Sequence, residues 1–243
     1  MRRIISWIPN SITCCNLVSG CMAMFMAMQR DPDWIWGGLT PLQWFYIFVL
    51  AASVFDFLDG MSARLLKQYS PLGKELDSLS DLVSFGVAPG MLMINIMLGH
   101  GIVGVEPSMR WLAWAALAIP ILGAIRLAKF NVDDSQSHTF KGLPIPANAL
   151  FWIGFSGWIY EHPDCYPGNI VMAIIVIFFA SAMVWPLKMF SLKFKTFGFR
   201  ANIKRYGILI AAILFVVFYG ISGLGWSIIL YILLSALSRR SDD

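Results

Sequence analysis

Residues 56–81 read DFLDGMSARLLKQYSPLGKELDSLSD, and four aspartates in this stretch, Asp56, Asp59, Asp77 and Asp81, sit inside or at the edge of two long apolar runs. As a helix, the first half places Asp56, Asp59, Gly60 and Ala63 at i, i+3, i+4 and i+7, which is one face. The second half does the same with Gly73, Asp77, Asp81, Ser84 and Ala88. Between them lies Tyr69-Ser70-Pro71, where Pro71 disfavours helix at the residue before it and can open the next helix. Two antiparallel helices joined by so short a turn are expected to be neighbours. Small residues on their acidic faces would allow close approach and aim four carboxylates at one point. Each such charge costs on the order of 2.5–3.5 kcal/mol near the centre of a spanning helix. Arg64 offsets one at most, so divalent cations are the natural compensation, because carboxylate oxygens suit Mg²⁺, Mn²⁺ or Ca²⁺. Solvated helix-end charges would have no reason to share faces on two adjacent helices.

The chain around this stretch has the composition of a membrane protein. Of its 243 residues, 58% are hydrophobic and 13% charged, and the mean hydropathy is +0.69. Apolar runs predict an all-α polytopic bundle of about eight spans, near 10–29, 41–68, 72–99, 108–129, 143–160, 168–188, 206–222 and 224–238. The start, MRRIISWI, is basic and apolar and suits the membrane interface. It does not read as a cleavable signal, since Pro9-Asn10 interrupts it and a span follows. With the N-terminus inside, 16 of the 18 Lys and Arg residues fall on one side and only Arg30 and Arg110 on the other. Both termini and the acidic cluster are therefore expected on the cytoplasmic side. The net charge of +4 reflects this topology and contact with anionic head groups, which argues against nucleic acid as a partner. No internal repeat or low-complexity segment divides the chain. It reads as one integral-membrane catalytic domain, with a six-span core over 1–190 and a basic loop plus helical hairpin over 191–243.

Elsewhere, polar residues gather where spans meet the cytoplasmic side. Asn10, Thr13, Asn16 and Gly20 recur on roughly one face of the first helix, either capping it and bonding to neighbouring helices or lining a site. Arg126 sits deeper in an apolar run than Lys129, so a buried partner is expected: a phosphate, a substrate carboxylate or an aspartate. Lys129 reads as positive-inside charge, and Lys141 adds a third cation on that side. Trp34, Trp36 and Trp44 suit an interfacial belt. The loop 188–205 interleaves basic and aromatic residues, as a head-group-binding collar would. Cys14, Cys15, Cys21 and Cys165 lack zinc-like spacing and read as small packing residues.

Written as a pattern, D-x2-D-G-x2-A-R-x8-G-x3-D-x3-D, the quoted stretch resembles the signature of the CDP-alcohol phosphotransferases. All eight positions match: Asp56, Asp59, Gly60, Ala63, Arg64, Gly73, Asp77 and Asp81. Two further segments are similar to the bacterial and archaeal membrane-type phosphatidylserine synthases of that family. One is P-N-x2-T-x2-N, filled by Pro9, Asn10, Thr13 and Asn16; the other is R-L-A-K-F-N-V at 126–132 followed by F-x-G-L-P-x-P-A at 140–147. The resemblance covers about 9–20, 56–81 and 126–147, and leaves the last third placed by topology alone.

The resemblance implies transfer of a phosphatidyl group from CDP-diacylglycerol to an alcohol, L-serine in the subfamily, with CMP leaving. It implies two Mg²⁺ or Mn²⁺ ions held by Asp56, Asp59 and Asp77, with Asp81 as the base for the attacking hydroxyl and a further metal ligand. Gly60, Ala63, Arg64, Gly73, Asn10 and Thr13 would bind the CDP-lipid, Gly60 and Ala63 by letting the nucleotide approach the backbone and Gly73 by keeping the two acidic helices tight. Arg64 would bind phosphate or pair with an aspartate. Arg126, Lys141 and Asn16 would bind the acceptor or a phosphate. Family members are often homodimers in the cytoplasmic membrane with the site facing the cytoplasm. Glycerol 3-phosphate, inositol and inositol phosphate are the alternative acceptors. A cation transporter is the alternative from another class, but it would be expected to carry a counterpart of the acidic hairpin in its second half.

Overall fold

The computed structural model describes residues 7–29, 34–68, 70–100, 105–132, 142–186, 189 and 203–238, the last stretch with side chains for 206–237. Eight helices account for most of them. In chain order they are α1 (Trp7–Met28), α2 (Pro41–Leu65), α3 (Pro71–Met97), α4 (Pro107–Val132), α5 (Ile145–Glu161), α6 (Asn169–Val184), α7 (Ile203–Tyr219) and α8 (Ser222–Ser238). These are the eight segments that the apolar runs predict, with ends shifted by a few residues. The first four are long and apolar enough to cross a bilayer; a helix of 22 residues reaches about 33 Å at about 1.5 Å per residue.

Local chemistry sets the helix ends. Thr40 and Gln43 form a reciprocal capping box at the start of α2, and Pro41 occupies its first turn. Ser70 caps α3 by accepting from the Gly73 N–H, with Pro71 in the first turn as the sequence predicts. Within α3 the backbone widens to π geometry over Leu82–Val87, directly after Asp81. Such bulges tend to mark functional positions.

The bundle is apolar outside, and its apolar core carries a buried polar cluster on α1, α2 and α3. Val18, Phe25, Val54, Phe57, Trp111, Trp114, Ile174 and Val217 are all exposed, while Asn10, Thr13, Asn16, Asp59, Ser80, Asp81 and Ser84 are buried. That distribution fits lipid rather than water as the surrounding solvent. Cys14, Cys15 and Cys21 lie on the exposed side of α1, so they face outward instead of packing between helices.

One expectation fails in an informative way. Helices α2 and α3 do not pack along each other; α1 packs against both. The polar strip of α1 supplies donors to each, through Thr13 to Asp59 and through Asn16 to Asp81. The absence of a side chain at Gly73 accordingly makes room for Asn10 of α1, since a β-carbon there would come 3.0 Å from Asn10 Oδ1. It does not tighten α2 against α3. At the other end of α3, Asn95 Nδ2 donates to Ala27 O at 2.7 Å, so the α1–α3 pairing runs the length of α1.

The loop beyond α5 is pinned by Asn169, whose amide donates to Met97 O and Met109 O, each at 2.9 Å. Tyr166 donates its hydroxyl to Asn169 Oδ1. Burial pushes that hydroxyl up to about 12, which keeps it a donor across the neutral range.

The C-terminal hairpin α7–α8 docks through α8 on α5. A β-carbon on Gly154 would lie 2.0 Å from Gly225 N, so the two backbones touch without side chains between them. Ser222 Oγ donates to Glu161 Oε2 at 2.6 Å beside this crossing. Gly154→Val is therefore expected to force α8 off α5 and lower thermal stability by about 3 kcal/mol. Gly207→Ala is the control, because its β position is open space. Melting curves in detergent check both, and equal melting temperatures would remove the role given to the crossing.

Candidate active site

The site is built where α1, α2 and α3 converge. Asp56 and Asp59 come from α2 and Asp77 from α3, and one carboxylate oxygen from each lies within 4.8 Å of the others. At that separation two ionised carboxylates repel by roughly 3 kcal/mol at an effective dielectric of about 20. Asp77 Oδ1 is buried and has no hydrogen-bond partner. An all-oxygen set with an unsatisfied ligand atom is the donor chemistry of a hard divalent cation, so the residues fit the metal that the motif implies. The sequence suggests four carboxylates at one point; three of them form this trio, and Asp81 is not among them. It lies one helical turn beyond Asp77 on α3, deeper in the bundle and 8% exposed.

Helix α1 orients two of the four. The Thr13 hydroxyl donates to Asp59 Oδ2 at 2.6 Å, with Pro9 O also in reach at 3.1 Å. The Asn16 amide donates to Asp81 Oδ1 at 3.1 Å. Asn16 is fully buried and its Oδ1 is taken by Ser84 Oγ at 2.7 Å. The sequence suggests Asn16 as an acceptor-binding residue; the structure instead commits both ends of its amide to protein partners.

Beside the trio opens a pocket of about 280 Å³. Its walls include Asp59 and Asp77 and all six residues that the motifs suggest for the CDP-lipid: Asn10, Thr13, Gly60, Ala63, Arg64 and Gly73. Arg64 folds back on its own helix, donating Nε to Gly60 O at 2.9 Å, so its guanidinium hangs at the pocket wall. Lys74, Gln68 and Ser70 also line it and are not singled out by the sequence. Lys74 follows the motif glycine directly, and its Nζ donates to Asn131 O at 3.0 Å, tying α3 to the end of α4. Its place next to Gly73 is the one signal that marks it in the sequence.

Arg126 projects from α4 near Asp81 of α3 and the phenol of Tyr231 of α8. Its Nε is buried without a hydrogen-bond partner. The expected deep cation is thus present beside Asp81, with capacity left for a ligand. Lys129 is exposed, in keeping with a topological charge. Lys141 and the collar cations Lys188, Lys193, Lys195 and Arg200 lie outside the described residues, as do the side chains of Lys204 and Arg205.

A second hollow, about 250 Å³ between α5, α6 and α8, is lined mainly by Phe151, Phe155, Trp158, Phe179, Trp226 and aliphatic neighbours. It holds no ionisable side chain and lies apart from the carboxylates.

Residues 6–237 match the family model described as CDP-alcohol phosphatidyltransferase. Among curated proteins, the chain is 35% identical over 143 residues to a CDP-diacylglycerol–serine O-phosphatidyltransferase of Bacillus subtilis strain 168, covering 58% of this chain and 71% of that one. It is 32% identical over 176 residues to the protein of the same name from Methanocaldococcus jannaschii, covering 72% and 71%. A Helicobacter pylori protein of that name, from strain 26695, is 35% identical over 144 residues, covering 58% and 54%. With nearly the whole length matched, and with the motif carboxylates gathered at a polar pocket inside a lipid-facing bundle, the chain belongs to the CDP-alcohol phosphatidyltransferase family of membrane enzymes.

Proposed function

We propose that the protein transfers a phosphatidyl group from CDP-diacylglycerol to L-serine, giving phosphatidylserine and CMP. The observation that carries this reading is the pocket in which six motif residues adjoin Asp59 and Asp77. Gly60, Ala63 and Gly73 present little or no side chain there, so a nucleotide can lie against the helix backbones. Arg64 and Lys74 supply positive charge for a pyrophosphate. Asp56, Asp59 and Asp77 would hold two divalent ions, Mg²⁺ or Mn²⁺, and the motif resemblance assigns Asp81 as a further ligand. When bound, such ions offset the charge of the phosphates and of departing CMP.

The remaining work belongs to the chain itself. Asp81, oriented by Asn16, takes the proton from the serine hydroxyl. The serine oxygen forms its bond to the phosphatidyl phosphorus as the bond from that phosphorus to CMP breaks. Arg126, near Asp81 and with Nε free, is placed to pair with the carboxylate of serine. Lys141 is assigned to the same end of the site by motif resemblance alone. Serine is favoured over other alcohols by the segments 126–132 and 140–147 and by the names of the relatives. The distribution of Lys and Arg supports a site on the cytoplasmic face of the bacterial membrane, where water-soluble serine and CMP exchange while the acyl chains stay in lipid.

The test is CMP release by purified protein in detergent with CDP-diacylglycerol and Mn²⁺ or Mg²⁺, with and without L-serine. Glycerol 3-phosphate and inositol run in parallel. Serine-dependent release that chelation abolishes is the expected result. Release with another alcohol alone would keep the family and overturn serine, and no release from folded protein would overturn the reaction.

A further inference from the structure

The hydrogen bonds around Asp81 run one residue further than the motifs do. Asp81 Oδ1 accepts from Asn16 Nδ2 at 3.1 Å, and Asn16 Oδ1 is 2.7 Å from Ser84 Oγ. Ser84 Oγ is also 3.1 Å from the Asn16 backbone oxygen. Ser84 and Asn16 are both fully buried. Proton bookkeeping fixes the direction of every link. A carboxylate at this end only accepts, so the amide must turn its NH₂ to Asp81. Its oxygen then faces Ser84, whose hydroxyl must donate. With one proton to give and two oxygens in reach, the nearer one, Asn16 Oδ1, takes the larger share. A reversed amide would set Oδ1 against the carboxylate and leave its NH₂ facing only a hydroxyl that can accept.

The backbone is shaped to permit this contact. Ser84 lies inside the π stretch Leu82–Val87, one turn after Asp81. Opposite it on α1 is Gly20, where an added β-carbon would fall 2.2 Å from Ser84 Oγ and 2.8 Å from Ser84 Cα. The approach of α3 to α1 at this point therefore depends on a position without a side chain.

We propose that Ser84 is a positioning residue for the transfer reaction, acting on Asp81 through Asn16. The hydroxyl locks the amide in the single orientation that donates to the carboxylate, and so holds the oxygen of Asp81 where the acceptor hydroxyl delivers its proton. Ser84 touches neither substrate in this scheme. Its removal lowers turnover and leaves substrate binding intact. The proposal rests on Asp81 being the base.

The experiment is steady-state kinetics of CMP release for the full-length protein and for Ser84→Ala, Ser84→Cys, Asn16→Ala and the Ser84→Ala/Asn16→Ala double variant, alongside melting temperatures and Asp81→Asn. Ser84→Ala is expected to lower kcat about tenfold, a usual size for a residue that orients an active-site group. The KM for both substrates stays at its starting value, while the melting temperature falls by the small amount that loss of one buried hydrogen bond brings. Ser84→Cys, which keeps the volume but donates weakly, follows it and covers the case in which the alanine variant does not fold. Because Ser84 acts only through Asn16, the double variant is no slower than Asn16→Ala. Effects that multiply in the double variant, an unchanged kcat in Ser84→Ala, or a raised KM for either substrate would each overturn the proposal. Full activity in Asp81→Asn would overturn the base assignment itself. An inactive Asp81→Asn beside a normal Ser84→Ala would overturn the relay alone.

Discussion

Asp77→Asn is expected to abolish CMP release, by on the order of a thousandfold, and to remove the stabilisation expected from bound Mn²⁺. The substitution is nearly isosteric, so it alters charge without opening a cavity. Asp77 is one of three carboxylates whose oxygens lie within 4.8 Å, and its Oδ1 is the buried atom without a partner. Without metal, taking one negative charge from that trio relieves repulsion, so the melting temperature of the metal-free variant should equal or exceed that of the parent. With metal, the parent should gain about 2.7 kcal/mol at a concentration a hundred times its dissociation constant, and the variant far less. Thermal melting in detergent with and without Mn²⁺ separates these terms without relying on activity. An undiminished Mn²⁺-dependent rise in the variant would refute the assignment of Asp77 to metal.

Asp81→Asn should fail differently. Loss of a general base typically removes roughly 10²–10⁴-fold in rate. An asparagine here can still accept from Asn16 through its oxygen, so the α1–α3 contact survives. Asp81 also stands outside the trio, one turn deeper. Metal-dependent binding of the nucleotide lipid should therefore remain measurable while turnover disappears. Isothermal titration or a melting shift with CDP-diacylglycerol and Mn²⁺ reads the first quantity, and CMP release reads the second. Full turnover would remove Asp81 as base. Loss of metal-dependent binding together with turnover would make it a metal ligand first.

Much of this architecture is legible in the sequence, for a physical reason. A bilayer imposes one strong rule, that long apolar runs become helices. The eight segments follow from it, and Pro41, Ser70 and Pro71 set helix starts through local backbone chemistry. The pocket residues follow from helical periodicity, since spacing by three and four puts Asp59, Gly60 and Ala63 on one face. Lys74 does not stand out in this way, because a basic residue at a helix start looks the same whether it faces water or a ligand.

What periodicity cannot supply is the neighbour of each face. Read alone, the short turn at 66–70 pairs the two acidic helices. In three dimensions α1, whose Thr13 lies 46 residues upstream of Asp59, takes that place along most of their length, because the hydroxyl of Thr13 and the amide of Asn16 donate to the carboxylates of both helices. The same contact engages both ends of the Asn16 amide, one of them with Asp81. It also brings Ser84 into play through the bare backbone of Gly20. Sequence by itself determined the helices, the acidic motif and the faces that carry it, since these rest on local backbone preferences and apolar pattern. Tertiary structure alone decided which helix meets which face, because that choice rests on hydrogen bonds and close backbone approach between residues remote in the chain.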